Sequence, residues 1–347
     1  MPCPSALAAG ACCADTGPVT AQSPAQPDLA AVVDLARHAP SVHNSQPWQF
    51  SVTAGVLTLR RDEARRLPVL DPDSRQVTIS CGAAVHLARL GLRAQGLDPT
   101  TEVVRADSHG IEVRIAAAPG DPPAEAELGL VTAARERHTQ RGRFHARPVA
   151  DDVVREMRLA AEAEGAWVRF LADSEDQVPL AVLLAKADEL ERDDPDYQAE
   201  LARWADRPAG SADGLPAAAT APAEEVRASD LTLRRFGPAG GTEAVGDPVD
   251  DADPPVAEHP LVAVLGTTAD TPHDWLVAGQ ALSALLVRAT AGGVQASPLG
   301  QVLDQPWARR RLAGELGVVG HPQMVLRLGY AEPGPETPRR PVDELLS

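Results

Sequence analysis

Two stretches of this chain echo each other, and an internal echo constrains a fold more than composition can. "CGAAVHLARLGLRAQG" (Cys81–Gly96) resembles "AGQALSALLVRATAGG" (Ala278–Gly293). In both, a glycine near the start (Gly82, Gly279) lies fourteen positions before one near the end (Gly96, Gly293). The Leu, Val and Ala positions between them have helical spacing. Small residues at the start let such a helix approach another backbone closely, and the closing glycine reads as a C-cap. A second echo lies upstream, where "DLAAVVDLARHAP" with "QPWQFSV" parallels "ADDVVREMRLAAEAEGAWVRFL". Each is an amphipathic helix followed by a strand, carrying Trp48 in one case and Trp167 in the other. Two related halves are expected.

The other elements are strands. "QFSVTAGVLTLRRD" reads as a hairpin turned at Ala54-Gly55, and "TEVVR" with "IEVRI" around "ADSHG" as a second. "LVAVLG" and "QMVLRLGY" are apolar strand candidates late in the chain. Helices and short strands do not alternate as regular βαβ units, which favours an α+β class over a doubly wound sheet. Between Arg207 and Pro260 runs a stretch rich in Pro, Ala, Gly and Asp, too long for an ordinary connection and read as either disordered or a lid.

Composition excludes several partners. A formal charge of −17 over 347 residues repels nucleic acid phosphates. No apolar run approaches the roughly 20 residues a membrane span needs. Cys12 and Cys13 are adjacent, Cys3 lies in the same small-residue leader, and Cys81 stands alone, which fits neither a zinc site nor a disulfide framework. The leader lacks the basic and apolar regions of a signal peptide. A cytoplasmic protein with a flexible tail over residues 1–27 is expected, with no metal, membrane or nucleic acid.

Pro40 disfavours helical backbone at Ala39, so the helix over 28–38 ends there and "RHAPSVHNSQPWQF" continues as a loop. Alone, its Ser41 and Asn44 read as caps of a turn. Three other places add to it. In "RERHTQRGRF", Arg137, Thr139 and Arg141 alternate, so an extended segment points them one way. Two guanidiniums and a hydroxyl on one side suit a phosphate and a polyol chain, since Arg donates in pairs and stays charged. "TPRRPVDELL" places Arg339 and Arg340 in a Pro-stiffened loop after an apolar strand. "GGVQASPLGQV" ends a helix in a small-residue loop, where Ser297, Leu299 and Gly300 offer backbone donors beside Pro298. No GxSxG, HExxH, Walker A or GxGxxG occurs.

Together these residues resemble the flavin-dependent nitroreductase fold family, and within it the actinobacterial Acg-like branch of NAD(P)H nitroreductases. The family's APSxxNxQPW element stands here as Ala39 to Trp48, and its RxSxR opening as Arg137-His138-Thr139-Gln140-Arg141. Its AGxAxxxLLxxAxxxG helix and SPxG loop match Ala278 to Gly300, and its C-terminal basic pair matches Arg339 and Arg340. The resemblance covers residues 28–205 and 259–346. The motif order departs from the family's, because here APSVHN precedes RHTQR instead of following it.

Family members are dimers with FMN at the subunit interface. The resemblance therefore implies two fused halves, residues 28–130 and 131–347, forming an intramolecular pseudo-dimer with helices around mixed or antiparallel sheets. One flavin site would remain, with Pro40, Ser41 and Asn44 from the first half and the rest from the second. Arg137, Arg339 and Arg340 would hold the phosphate, Thr139 the ribityl hydroxyls, and Arg141 the pyrimidine end of the ring. Ser297, Pro298, Leu299 and Gly300 would lie at its N5 and O4. The implied activity is hydride transfer from NAD(P)H through FMN to a nitroaromatic or quinone-like acceptor, with no catalytic side chain required. The alternative is an FMN-binding or FMN-storing protein whose insert, about residues 207–259, covers the flavin; "DGLPAAATAP" and "LRRFG" are candidate covers. A third reading, an interaction protein without cofactor, is disfavoured by the intact arginine sets. A monomer acting on a small molecule is expected.

Overall fold

A computed structural model describes residues 26–347 apart from 172–173, 206, 209, 217–230, 232, 235–257, 259 and 333. Most of the leader, including Cys3, Cys12 and Cys13, lies outside the described residues, as do most of the 207–259 insert and Arg235 and Phe236 of "LRRFG".

The first half opens with α1 (Leu29–Ala36), capped by the Asp28 side chain, which accepts from the Ala31 N–H. The chain then forms β1 (Trp48–Thr53) and β2 (Val56–Arg61). Their turn puts Ala54 at φ 51° and Gly55 at φ 79°, the left-handed pair that matches strand twist in a two-residue hairpin. Next come α2 (Arg75–Arg93), β3 (Leu97–Asp107), β4 (Gly110–Pro119) and α3 (Glu125–Glu136). The second half repeats the plan with α4 (Asp151–Ala163), β5 (Trp167–Leu171), α5 (Ser174–Asp193), α6 (Pro195–Trp204), β6 (Leu261–Thr267), α7 (Pro272–Ala291) and β7 (Gln295–Pro298). It closes with α8 (Gln301–Asp304), α9 (Pro306–Glu315), β8 (His321–Gly329) and α10 (Val342–Leu345).

Each half builds one four-stranded sheet, ordered β1-β2-β4-β3 and β5-β6-β8-β7. All pairings within them are antiparallel. The two echoes therefore fall on equivalent elements: α1–β1 on α4–β5, and α2 on α7.

Those last two helices cross at their glycines. A Cβ on Gly82 would collide with the Leu276 carbonyl oxygen and lie 3.0 Å from Gly279 Cα. A Cβ on Gly279 would collide with the Ile79 oxygen and lie 2.9 Å from the Ala83 nitrogen. Leu276 precedes Gly279 by three residues as Ile79 precedes Gly82, so the contact is reciprocal and a pseudo-twofold axis passes through it. One turn further on, His86 Nδ1 meets Ser283 Oγ at 2.9 Å, again a pair of equivalent positions. Each helix also lends side chains to the other core, Leu276 and Val287 to the first and Ile79 to the second.

The end of the chain returns to the first half. Leu345 is buried in the first core, Leu346 pairs with Phe50 in parallel, and the Ser347 N–H donates to the Phe50 oxygen at 2.9 Å. The 130/131 boundary read from the sequence falls inside α3, whose Ala133 and Ala134 pack in that same core.

Candidate functional site

A cleft between the halves, bordered by α2 and α7, holds about 1280 Å³ of empty space, the solvent at its mouth included. Ten of the twelve residues singled out in the sequence line it: Pro40, Ser41, Asn44, Arg137, Thr139, Arg141, Ser297, Pro298, Gly300 and Arg339.

The loop after α1 is tightly wound. Ser41 Oγ accepts from the Gln46 N–H at 3.1 Å, and Ser80 Oγ on α2 accepts from the Val42 N–H at 3.1 Å. His43, Asn44 and Gln46 have φ values of 47°, 54° and 48°. Left-handed backbone in residues other than glycine costs of order 1–3 kcal/mol apiece and persists where surrounding bonds enforce it. Here the Asn44 amide enforces it. Its Nδ2 donates to the Gly214 and Pro338 oxygens, both at 2.9 Å, and its Oδ1 accepts from Arg339 Nη1 at 3.0 Å. Asn44 thus ties the first-half loop to the insert and to the C-terminal arginine.

The arginines come from two further segments. Residues 137–141 run beside β7, with Thr139 bridged to Ala296 and the Gln140 N–H donating to the Ala296 oxygen at 2.8 Å. Gln140 turns away, its Nε2 donating to the Glu332 oxygen at 3.0 Å, while Arg137, Thr139 and Arg141 face the cleft. Arg137 Nη2 donates to the His38 oxygen at 3.1 Å. Neither Arg137 nor Arg339 forms an ion pair among the described residues, and the buried Nε of each lacks a hydrogen-bond partner there. Burial pulls Arg137 down to about 10. It does the same to Arg141, with the nearby charge of Arg137 adding to the effect. Arg339 falls to about 9 through burial and the surrounding Arg137, Arg37 and Arg141 charges. Arg137, Arg141 and Arg339 thus gather like charge along one wall of the cleft.

Two expected residues lie off the cleft. Arg340 follows Arg339 in an extended segment and so points the other way. Its N–H donates to Gln46 Oε1 at 2.8 Å, its Nη1 lies 3.8 Å from Asp62 Oδ2, and its Nε lies 3.6 Å from Glu344 Oε2. It joins the chain's end to the first half. Leu299 is buried in a core cluster, and its N–H, expected to be a spare donor, is bonded to the Val325 oxygen at 2.9 Å.

The sequence did not single out His43, Gln76 and Ser80 as site residues, yet all three face the cleft. Burial holds the His43 ring neutral, its pKa well below 6.5, with Arg234 and Arg141 pushing the same way. Leu215, Leu233 and Arg234, from the described part of the insert, complete the wall. Arg234 Nη2 donates to Glu191 Oε1 at 3.0 Å and to Asp304 Oδ2 at 2.7 Å. "DGLP" is held there because Asp213 accepts from Arg65 at 2.8 Å and from Arg207 at 2.6 Å. Among the described residues no cluster of His, Cys, Asp or Glu could hold a metal, and no helix is long and apolar enough to cross a membrane.

Comparison with known proteins places the chain. It is 31% identical over 323 residues to the Mycobacterium tuberculosis H37Rv protein named "Putative NAD(P)H nitroreductase Rv3131", covering 91% of this chain and 90% of that one. It is 29% identical over 327 residues to "Putative NAD(P)H nitroreductase acg" of the same organism, covering 92% and 95%. No family model matches the chain. Among solved structures, the FMN and NADPH-dependent nitroreductase NfnB from a Sphigopyxis strain aligns with 63% of this chain and 97% of its own at 15% identity and a TM-score of 0.39. The chain belongs to the nitroreductase family represented by Rv3131 and Acg.

Proposed function

We propose that the protein is an FMN-binding oxidoreductase that carries hydride from NAD(P)H to an oxidised acceptor of nitroaromatic or quinone type. The observation that carries this reading is the pair Arg137, buried, and Arg339, half-buried with its Nε inside, which line the cleft and form no ion pair among the described residues. Burying an uncompensated ion costs several kcal/mol, and a bound phosphate dianion would offset it. Their unpartnered Nε groups are the donors such a phosphate would fill. Thr139 would meet the ribityl hydroxyls. Arg141 would stand at the pyrimidine end of the ring, where a cation favours the reduced, anionic form. Pro40 and Ser41 would close one side, and Ser297, Pro298 and Gly300 the other. Asn44 would act through Arg339, which it orients. FMN supplies the hydride chemistry when bound, so no side chain is assigned as acid or base.

One chain supplies both sides of the cleft, which supports a monomer of two halves, the first ending with α3 and the second running on to residue 347, acting on a small molecule. Purified protein should be yellow and take up one FMN per chain, and NADPH should bleach it anaerobically. The double variant Arg137→Ala/Arg339→Ala should lose the flavin while keeping its circular dichroism. Flavin retained by that variant counts against the site. A second reading, FMN storage under a cover, is favoured by Leu215, Leu233 and Arg234 standing in the wall. Bound flavin that NADPH cannot bleach selects it.

A further inference from the structure

Arg234 belongs to none of the motifs shared with the family, and its side chain is held more firmly than that of a usual surface arginine. Its Nε donates to Glu191 Oε2 at 3.3 Å, and its Nη2 to both Glu191 oxygens and to Asp304 Oδ2. The side chains of Arg234, Glu191 and Asp304 are 12%, 3% and 4% exposed, so the geometry is fixed. The third nitrogen differs. Nη1 makes no hydrogen bond among the described residues and lies beside Gly300, where an added Cβ would sit 3.6 Å from it. Arg234 and Gly300 both line the cleft. A guanidinium pinned by two of its nitrogens thus offers its third to whatever enters.

The charges around it define what that is. Two carboxylates touch the one guanidinium, and Arg75 Nη2, 3.6 Å from Asp304 Oδ1, supplies the second cation. The group is close to neutral overall. A carboxylate ligand would meet Glu191 and Asp304 as well as Arg234, whereas an uncharged oxygen meets only the directed N–H. The proposed cofactor phosphate would satisfy Arg137 and Arg339, removing them as rivals for an anion.

We propose that Nη1 of Arg234 is the recognition point for an uncharged oxygen of the oxidised acceptor, a nitro group or quinone carbonyl, and that it discriminates against carboxylates. This rests on the oxidoreductase reading above, and the two can fail separately. The test is equilibrium binding of nitrobenzene, toluene and benzoate to the full chain by calorimetry at pH 8, where Glu191, raised to about 7 chiefly by burial, is mostly ionised. Flavin content is measured in parallel. Wild-type protein should bind nitrobenzene about tenfold tighter than toluene, the scale of one charge-assisted hydrogen bond, with benzoate weakest. Arg234→Lys keeps a cation for Glu191 and Asp304 but withdraws the free edge. It should weaken nitrobenzene about tenfold while leaving toluene and flavin content unchanged, the lost two-nitrogen contact with Glu191 appearing as a lower melting temperature. An unchanged nitrobenzene affinity in that variant overturns the proposal. If the variant does not fold, the wild-type ranking decides, and toluene equal to nitrobenzene or benzoate tighter than it is the refuting result. A chain that takes up no flavin yet keeps the ranking refutes the cofactor reading alone.

Discussion

Arg137→Met should move stability and binding in opposite directions. Arg137 is 5% exposed, and burial brings its pKa well down from the ordinary arginine value, to about 10. At roughly 1.4 kcal/mol per pH unit, holding it charged costs the folded chain about 3 kcal/mol. Its one hydrogen bond among the described residues, to the His38 oxygen at 3.1 Å, returns about 1.5 kcal/mol. Methionine keeps most of the apolar stem, so the ligand-free variant should be more stable by about 1–2 kcal/mol. Because the folded pKa lies below the unfolded one, the cost is present in full below about pH 10 and fades as pH rises beyond it. Urea unfolding of flavin-stripped protein at pH 7.5 reads this as a raised midpoint with unchanged slope. Flavin at a hundred times its dissociation constant stabilises the wild type by about 2.7 kcal/mol, so adding FMN should reverse the order. A stripped variant less stable than the wild type by 1 kcal/mol or more, or one that binds FMN equally well, would refute the reasoning.

Three further outcomes follow from the geometry. Gly279→Ala puts a methyl 2.8 Å from the Ile79 carbonyl carbon and should cost about 3 kcal/mol or more in urea unfolding, whereas Gly129→Ala, in open space on α3, should gain up to about 1 kcal/mol. Arg340→Ala should lower stability yet leave the FMN dissociation constant within about twofold, because its partners are Gln46, Asp62 and Glu344; fluorescence titration checks this. Asn44→Ala should weaken FMN about tenfold by freeing Arg339, and it should quicken proteolysis near Gly214, which that amide anchors.

Local chemistry made much of this fold legible. The Ala54-Gly55 turn, the hairpin around "ADSHG", and the left-handed Gly96 and Gly293, at φ 74° and 73° just past the caps Ala94 and Gly292, each follow from a few adjacent residues. So does the alternation that turns Arg137, Thr139 and Arg141 to one side. What sequence could not resolve is which way neighbours face in an irregular segment. Arg339 and Arg340 share one motif, but Asn44 receives the first while Gln46 and Asp62 receive the second. Leu299 looked like a loop donor because its partner, the Val325 oxygen, arrives on β8. Arg234 was visible only as part of a possible cover, since its anchors Glu191 and Asp304 lie far off in sequence.

The pairing of His86 with Ser283 has an evolutionary reading. Were the two halves separate identical subunits, every mutation on the dyad would appear twice, setting histidine against histidine or serine against serine. Covalent linkage lifts that constraint. A donor can face an acceptor across the axis, and one side can shed a cofactor motif while its twin keeps it, so a symmetric ancestor could give rise to a protein with a division of labour.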